Sequence, residues 1–329
     1  MGIHPTLMRL NLHFTNLNEK YKHENFTQSI IRDTEIGETI EKLGYSKDTV
    51  AKLIEGKFIE DPEFSFLNDL ISSELDVDRL DFLLRDSYFC GVPYGQFDIQ
   101  RLLLAIKKAD NRIVIKERAR HAAEGFILAR FWMYTQVYTH HTRRAFDVML
   151  KSMFSKEIIK TLSYPAPNKK EIYNILNFDD NWLVAQLRDS GFLKKLPPEG
   201  SSLALSLTQR HPLKYIIEKI AYIERGTHYT DEEFAKIESI ATFKEEIARK
   251  AGISSDLIFI DEPWKDLPFE EKYRQYTEEN EGNAISLICQ NSEIKDIALD
   301  PSSLAYNISK YKARVVRIYT ISRETFRAS

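Results

Sequence analysis

A chain of 329 residues, 43% hydrophobic and 29% charged, has the make-up of an ordinary globular protein, long enough for one large core and a smaller second one. Its formal charge of −3 offers no general attraction to nucleic acid or to an anionic membrane surface. Two cysteines, Cys90 and Cys289, make no disulfide framework, no run of about 18 apolar residues occurs, and Met-Gly-Ile-His-Pro is no signal peptide, so a reducing cytoplasm is expected.

From His23 to about Phe154 apolar residues recur at intervals of three and four. This predicts helices over Phe26–Leu43, Val50–Leu53, Phe64–Phe89, Ile99–Ile106 and the long run Ala119–Phe154. Within this stretch, Arg112–Ile115 reads as a short strand after Asn111. Pro165 to Asn168 punctuate the chain ahead of helices at Glu171–Leu176 and Trp182–Leu187, and Pro197, Pro198 and Gly200 make a second break. Beyond it, Leu257–Ile260, Ala284–Cys289 and Ala313–Tyr319 are rich in Ile and Val at strand length, with helical runs at Asp231–Lys250 and Pro301–Lys310. The class is therefore mainly α, with an all-helical domain over 23–200 and a small α+β domain over 205–329 carrying an antiparallel or mixed sheet.

The most informative stretch is Asp76 to Asp98, Asp-Val-Asp-Arg-Leu-Asp-Phe-Leu-Leu-Arg-Asp-Ser-Tyr-Phe-Cys-Gly-Val-Pro-Tyr-Gly-Gln-Phe-Asp. At about 100° per residue, Asp78, Asp81, Phe82, Arg85 and Asp86 fall in one broad stripe, with Leu80, Leu83 and Leu84 opposite. A solvated charged face, with Asp81 and Arg85 as an i,i+4 pair, accounts for the periodicity. The order Val-Asp-Arg-Leu-Asp-Phe-Leu-Leu-Arg-Asp, followed by Gly91, also resembles the last metal-ligand motif of the HD-domain phosphohydrolases. The closer likeness is to the deoxynucleoside triphosphate triphosphohydrolases, which read Asp-(Lys/Arg)-x-Asp-Tyr-x-x-Arg-Asp.

The resemblance implies an HD-type helical fold and hydrolysis of a nucleotide phosphoester at a divalent metal. It implies Asp78 as a metal ligand, Arg79 as a triphosphate contact and Asp86 as acceptor for the sugar 3′-hydroxyl. Phe82 stands where that family has Tyr, keeping the stacking surface and losing a hydroxyl. Imidazoles and carboxylates with open positions suit such a metal, but one carboxylate leaves an ion nearly fully hydrated.

Arg130, Tyr134, Tyr138 and His141 lie at i, i+4, i+8 and i+11, on one stripe of a single long helix. A buried aromatic stripe explains this pattern on periodicity alone. The same resemblance implies Arg130, Tyr134, Tyr138 and His140 as phosphate and sugar contacts, although His140 lies off the stripe. Lys22-His23-Glu24 is a third match. It implies His23 as general acid beside the phosphates, while Glu24 is equally an acid in a helix's first turn. By resemblance a dNTP-like nucleotide is the substrate partner and a homo-oligomer the assembly, with neither membrane nor nucleic acid engaged.

The family's first metal His and its His-Asp pair should precede His23, and this sequence has no counterpart for them, so three of four ligands are missing and weak or absent catalysis is expected. Residues 1–22 are expected to be a non-native or disordered start. Codons for Met1 to Asn11 can be chosen so that reading two bases later gives Gly-His-Pro-Pro-Tyr-Ser-His-Ala-Phe-Glu, which matches the family's Gly-His-x-Pro-(Phe/Tyr)-Ser-His. The coding DNA upstream of Met1 decides this point.

Overall fold

The computed structural model describes residues 23–54, 64–154, 166–197, 199–224, 244–262, 285–309 and 311–321. The expected non-native start at 1–22 lies outside them.

Helices α1 (His23–Asp33), α2 (Glu35–Lys42) and α3 (Lys47–Ile54) open the fold, followed by α4 (Phe66–Ser72), α5 (Val77–Cys90) and α6 (Ile99–Leu103). Two runs expected as single helices are each broken by a capping residue. Thr34 stands extended and its side chain accepts from Ile36 N, so Phe26–Leu43 divides there. Phe64–Phe89 divides at Ser73–Asp76, where Ser73 is extended and the Asp76 carboxylate accepts from Arg79 N at 2.7 Å. Short polar side chains compete with the helix for its first N–H groups, which is why such residues start helices more readily than they continue them.

Strands β1 (Ile106–Ala109) and β2 (Arg112–Lys116) form a hairpin turned by Asp110 and Asn111, both at positive φ. The long run Ala119–Phe154 becomes α7 (Arg120–Met133), a π-turn (Tyr134–Tyr138) and α8 (His141–Met153). Then come a 3₁₀ turn (Ile172–Asn177), α9 (Asp180–Gln186), α10 (Ser190–Leu193) and α11 (Gly200–Thr208). Strand β3 (Lys214–Glu224), whose β-branched content went unused in the sequence reading, precedes helix α12 (244–251), the described part of the helix expected over Asp231–Lys250. Strands β4 (Ile258–Asp261), β5 (Ser286–Ile288) and β6 (Ile294–Asp296), helix α13 (Leu304–Ser309) and strand β7 (Tyr311–Thr320) complete the described chain.

The strands form two sheets. A four-stranded mixed sheet has the order β1-β2-β5-β6, with β2 and β5 parallel, and a three-stranded antiparallel sheet has the order β3-β7-β4. The mixed sheet crosses the boundary expected near residue 205, because its first two strands come from the helical half and its last two from the C-terminal half.

One core gathers Leu83 of α5, Leu102, Ile115, Phe126 of α7, Leu287 and Ile297. A second gathers Met149 and Met153 of α8 with Phe192, Leu203, Phe259 and Tyr319. The π-turn lies in the chain between the helix that serves the first core and the helix that serves the second. Among the described residues no helix is long and apolar enough to cross a membrane.

Candidate functional site

Helix α5 ends as sharply as it begins. Gly91 adopts the left-handed conformation at φ 66°, where its N–H meets the carbonyls of Ser87 and Tyr88. Four residues on, Gly95 lies against the helix so closely that a Cβ there would come within 2.3 Å of the Leu83 carbonyl oxygen and 2.8 Å of Ser87 Cβ. Leu80 and Leu83 are buried as their stripe predicts. The polar stripe is turned outward, with Asp78 and Asp81 exposed and Phe82 and Asp86 half-buried. Asp81 and Arg85 pair at 2.9 Å on the exposed side, as the i,i+4 spacing suggests.

The π-turn changes the geometry of the second motif. Thr139 N donates to the Tyr134 carbonyl at 2.9 Å, five residues back, and the Thr139 hydroxyl reaches the same oxygen at 2.7 Å. Each such closure winds one extra residue into the helix and re-aims the side chains beyond it, and π-turns of this kind are frequent at functional sites. The expected stripe holds through Arg130, Tyr134 and Tyr138, while His141 leaves it and sets its ring against His140 and Tyr215. Arg130 lies 6.0 Å from the Tyr134 ring centre, the Tyr134 and Tyr138 rings meet edge-on at 5.2 Å, and Phe82 meets Tyr138 edge-on at 6.1 Å. Tyr138 Oη then donates to Asp86 Oδ2 at 2.8 Å. Burial, and next this bond to a carboxylate, push the Tyr138 phenol well above its ordinary pKa, so it remains a donor throughout the physiological range.

Both arginines expected at the phosphates are engaged with protein carboxylates. Arg130 is 2% exposed and its guanidinium bonds the equally buried Glu74. Arg79 donates to the Asp76 carboxylate and to the Ser73 carbonyl. Burial raises the Asp76 pKa, and the neighbouring cations Arg79 and Arg130 pull it back. Around the start of α5, three carboxylates (Glu74, Asp76, Asp78) face two guanidiniums. Glu74 and Asp76 are the members of this group that sequence reasoning missed. An Asp immediately before a helical run is a cap signal that could have found Asp76, whereas nothing in one sequence ties Glu74 to a residue 56 positions away.

His140 and Asp78 stand apart from this stripe, and the side chain of His23 cannot be placed against it. His140 is exposed at the start of α8, where its Nδ1 accepts from Thr142 N at 3.3 Å and its ring stacks on His141 at 4.2 Å. His23 opens α1, and its side chain lies outside the described residues. Asp78 meets no partner set: among the described residues no group of three or more His, Cys, Asp or Glu side chains could hold a metal ion. One exposed carboxylate does not fit the resident divalent metal that the resembled family implies.

The arrangement joins two sequence motifs 52 residues apart into one wall with an aromatic edge, a fixed phenol and a carboxylate. A family model described as the HD associated region matches residues 97–291, more than half of the chain. The YwfO protein of Bacillus subtilis is 30% identical over 306 residues, which is 90% of this chain and 66% of that protein. A Dictyostelium discoideum protein named as a deoxynucleoside triphosphate triphosphohydrolase SAMHD1 homolog is 28% identical over 131 residues, 38% of this chain and 25% of that one. A solved structure from Aquifex aeolicus superimposes with a TM-score of 0.62 at 25% identity, covering 91% of this chain and 69% of the other. The chain thus spans just under two thirds of YwfO and a quarter of the SAMHD1 homolog. On the matched region, the chain belongs to the HD-associated-region family.

Proposed function

We propose that the chain carries the nucleotide-binding wall of an HD-type phosphohydrolase resembling the deoxynucleoside triphosphate triphosphohydrolases, which release triphosphate from a nucleotide. The observation that carries this reading is the 2.8 Å bond from Tyr138 Oη to Asp86 Oδ2, flanked by Phe82. The two halves of the wall match the family pattern independently, and the fold brings them into contact.

The roles follow from donor and acceptor chemistry. Asp86 gives one oxygen to Tyr138, which fixes the carboxylate and leaves Oδ1 to accept a sugar hydroxyl. Phe82 and Tyr138 present ring edges to the sugar, and Phe82 offers no hydroxyl of its own, so recognition there falls on Asp86 and Tyr138. Arg79 and Arg130 are the cations that the resemblance assigns to the phosphate chain. Because Asp76 and Glu74 already hold them, they contribute local field and shape more than free donors, and the surplus carboxylate at the start of α5 opposes a polyanion that arrives without a cation.

The family's metal ligands other than Asp78 have no counterpart in this sequence, so the 329-residue chain by itself is expected to bind a nucleotide and to hydrolyse it weakly or not at all. A non-catalytic nucleotide-binding or regulatory subunit is the second reading, favoured by a wall that is complete without any metal. Incubation of the purified chain with a deoxynucleoside triphosphate and Mg²⁺ or Mn²⁺, with triphosphate release followed by chromatography, tests the expected impairment. Release at or below background is expected, and robust metal-dependent release would overturn the impairment.

A further inference from the structure

We propose that Arg317, on the C-terminal strand β7, is a positioning residue for the Tyr138–Asp86 wall. The inference rests on the nucleotide-site reading only for the name of what is positioned.

Arg317 occupies the middle of a charged row that crosses the three-stranded sheet. Its register partner on β3 is Glu218 and on β4 is Asp261. Glu218 accepts from Arg317 Nε, which orients the guanidinium along the sheet, and Arg317 Nη1 then donates to the Thr139 carbonyl. Thr139 follows Tyr138 directly and closes the π-turn through its bonds to the Tyr134 carbonyl. Two residues further along β7, on the same face of the strand, Tyr319 Oη donates to the His141 carbonyl at 3.1 Å. Asp261 completes the grip by taking Arg144, one turn into α8, through a two-pronged ion pair at 2.9 and 2.5 Å.

The sheet therefore holds three points of the segment 139–144, and each held group is buried or half-buried. Carbonyls at a helix end have no intrahelical donor, so the Thr139–His140 peptide, next to the one that closes the π-turn, takes its orientation from Arg317. Turning that peptide would re-aim the Tyr138 ring and break its alignment with Asp86. By this route the C-terminal sheet sets the geometry of a wall formed by the helical half.

The test is the ¹⁹F resonance of 3-fluorotyrosine placed at position 138 of the full chain, with Asp86→Asn marking the line position once the carboxylate is lost. Arg317→Met is expected to move the line toward the Asp86→Asn position, and Arg317→Lys, which keeps a donor for the carbonyl, to return it part of the way. Val315→Ala, a core truncation on the same strand that leaves the turn's bonds intact, serves as the stability control and should leave the line in place. An unchanged line in a folded Arg317→Met protein overturns the proposal. Should Arg317→Met not fold, Tyr319→Phe decides: a shift in the same direction supports the proposal and an unmoved line overturns it. The resonance needs no nucleotide, so failure of the unaltered chain to bind one would sink the functional reading and leave this result standing.

Discussion

Tyr138 and Glu74 show how much a single contact can do in this chain. Replacing Tyr138 by Phe keeps the ring edges against Tyr134 and Phe82 and removes only the donor to Asp86. Hydrogen bonds to charged groups contribute about 1.5–3 kcal/mol, and this one is partly solvated, so a loss of about 1–2 kcal/mol in urea-monitored stability is expected. The Glu74–Arg130 pair is a different case. Arg130→Met leaves a buried carboxylate without its cation, at a cost of about 3–5 kcal/mol, whereas the double replacement Glu74→Leu with Arg130→Met removes both charges. The double variant should regain most of that loss in a denaturation cycle, and equal instability of single and double variants would show that the pair is not the cause. At this scale the sequence was legible where residues sit close together, as in the Asp81–Arg85 pair. It was not legible for partners 52 or 56 positions apart, because pairing across the chain is written in the fold and not in spacing.

Among the elements, α5 was the most readable along its body and at its end, where the apolar stripe and the terminal Gly agree, although its Asp76 cap was passed over. Gly91→Ala tests the last of these. No atom lies within 4 Å of the added Cβ, so the cost is that of placing a side chain at φ 66°, about 1 kcal/mol, read as a lowered melting temperature with unchanged far-UV dichroism. Periodicity identified the helical runs but carried them through Thr34 and Ser73–Asp76, because a count of apolar positions does not register a side chain that competes for backbone N–H groups. The π-turn was equally invisible. Its sequence, Tyr-Thr-Gln-Val-Tyr, is compatible with an ordinary helix, and the extra residue is stabilised by Thr139 and by the distant Arg317.

Over the whole molecule, the two halves expected as separate domains are sewn together by the β2–β5 pairing and by contacts at the start of α7. Arg120 reaches Asp300 at 2.6 Å and Ser302 at 3.1 Å, while the buried Glu124 accepts from Ser303 Oγ at 3.0 Å and Leu304 N at 3.1 Å. The hydroxyl and N–H of Ser302, and then Arg120, hold the Asp300 carboxyl down to about 2. In the unfolded chain an Asp titrates near 3.9, so the stabilisation is present above about pH 4 and is lost as the pH falls toward 2. Asp300→Asn should lower stability at neutral pH and flatten the acid limb of the stability curve. An acid limb as steep as that of the unaltered chain would remove Asp300 from the account. The mainly α class and the strands at β4, β5 and β7 were legible from composition and Ile/Val content. The joining of the halves was not, since parallel pairing of strands 172 residues apart leaves no local mark.

The central claim is that Asp86 and Tyr138 form a nucleotide-binding wall, and isothermal titration of the chain with a deoxynucleoside triphosphate, with and without Mg²⁺, tests it most directly. Saturable binding is expected, weakened about tenfold or more by Asp86→Ala while the melting curve stays cooperative. Absence of binding, or binding that Asp86→Ala leaves unchanged, would contradict the account.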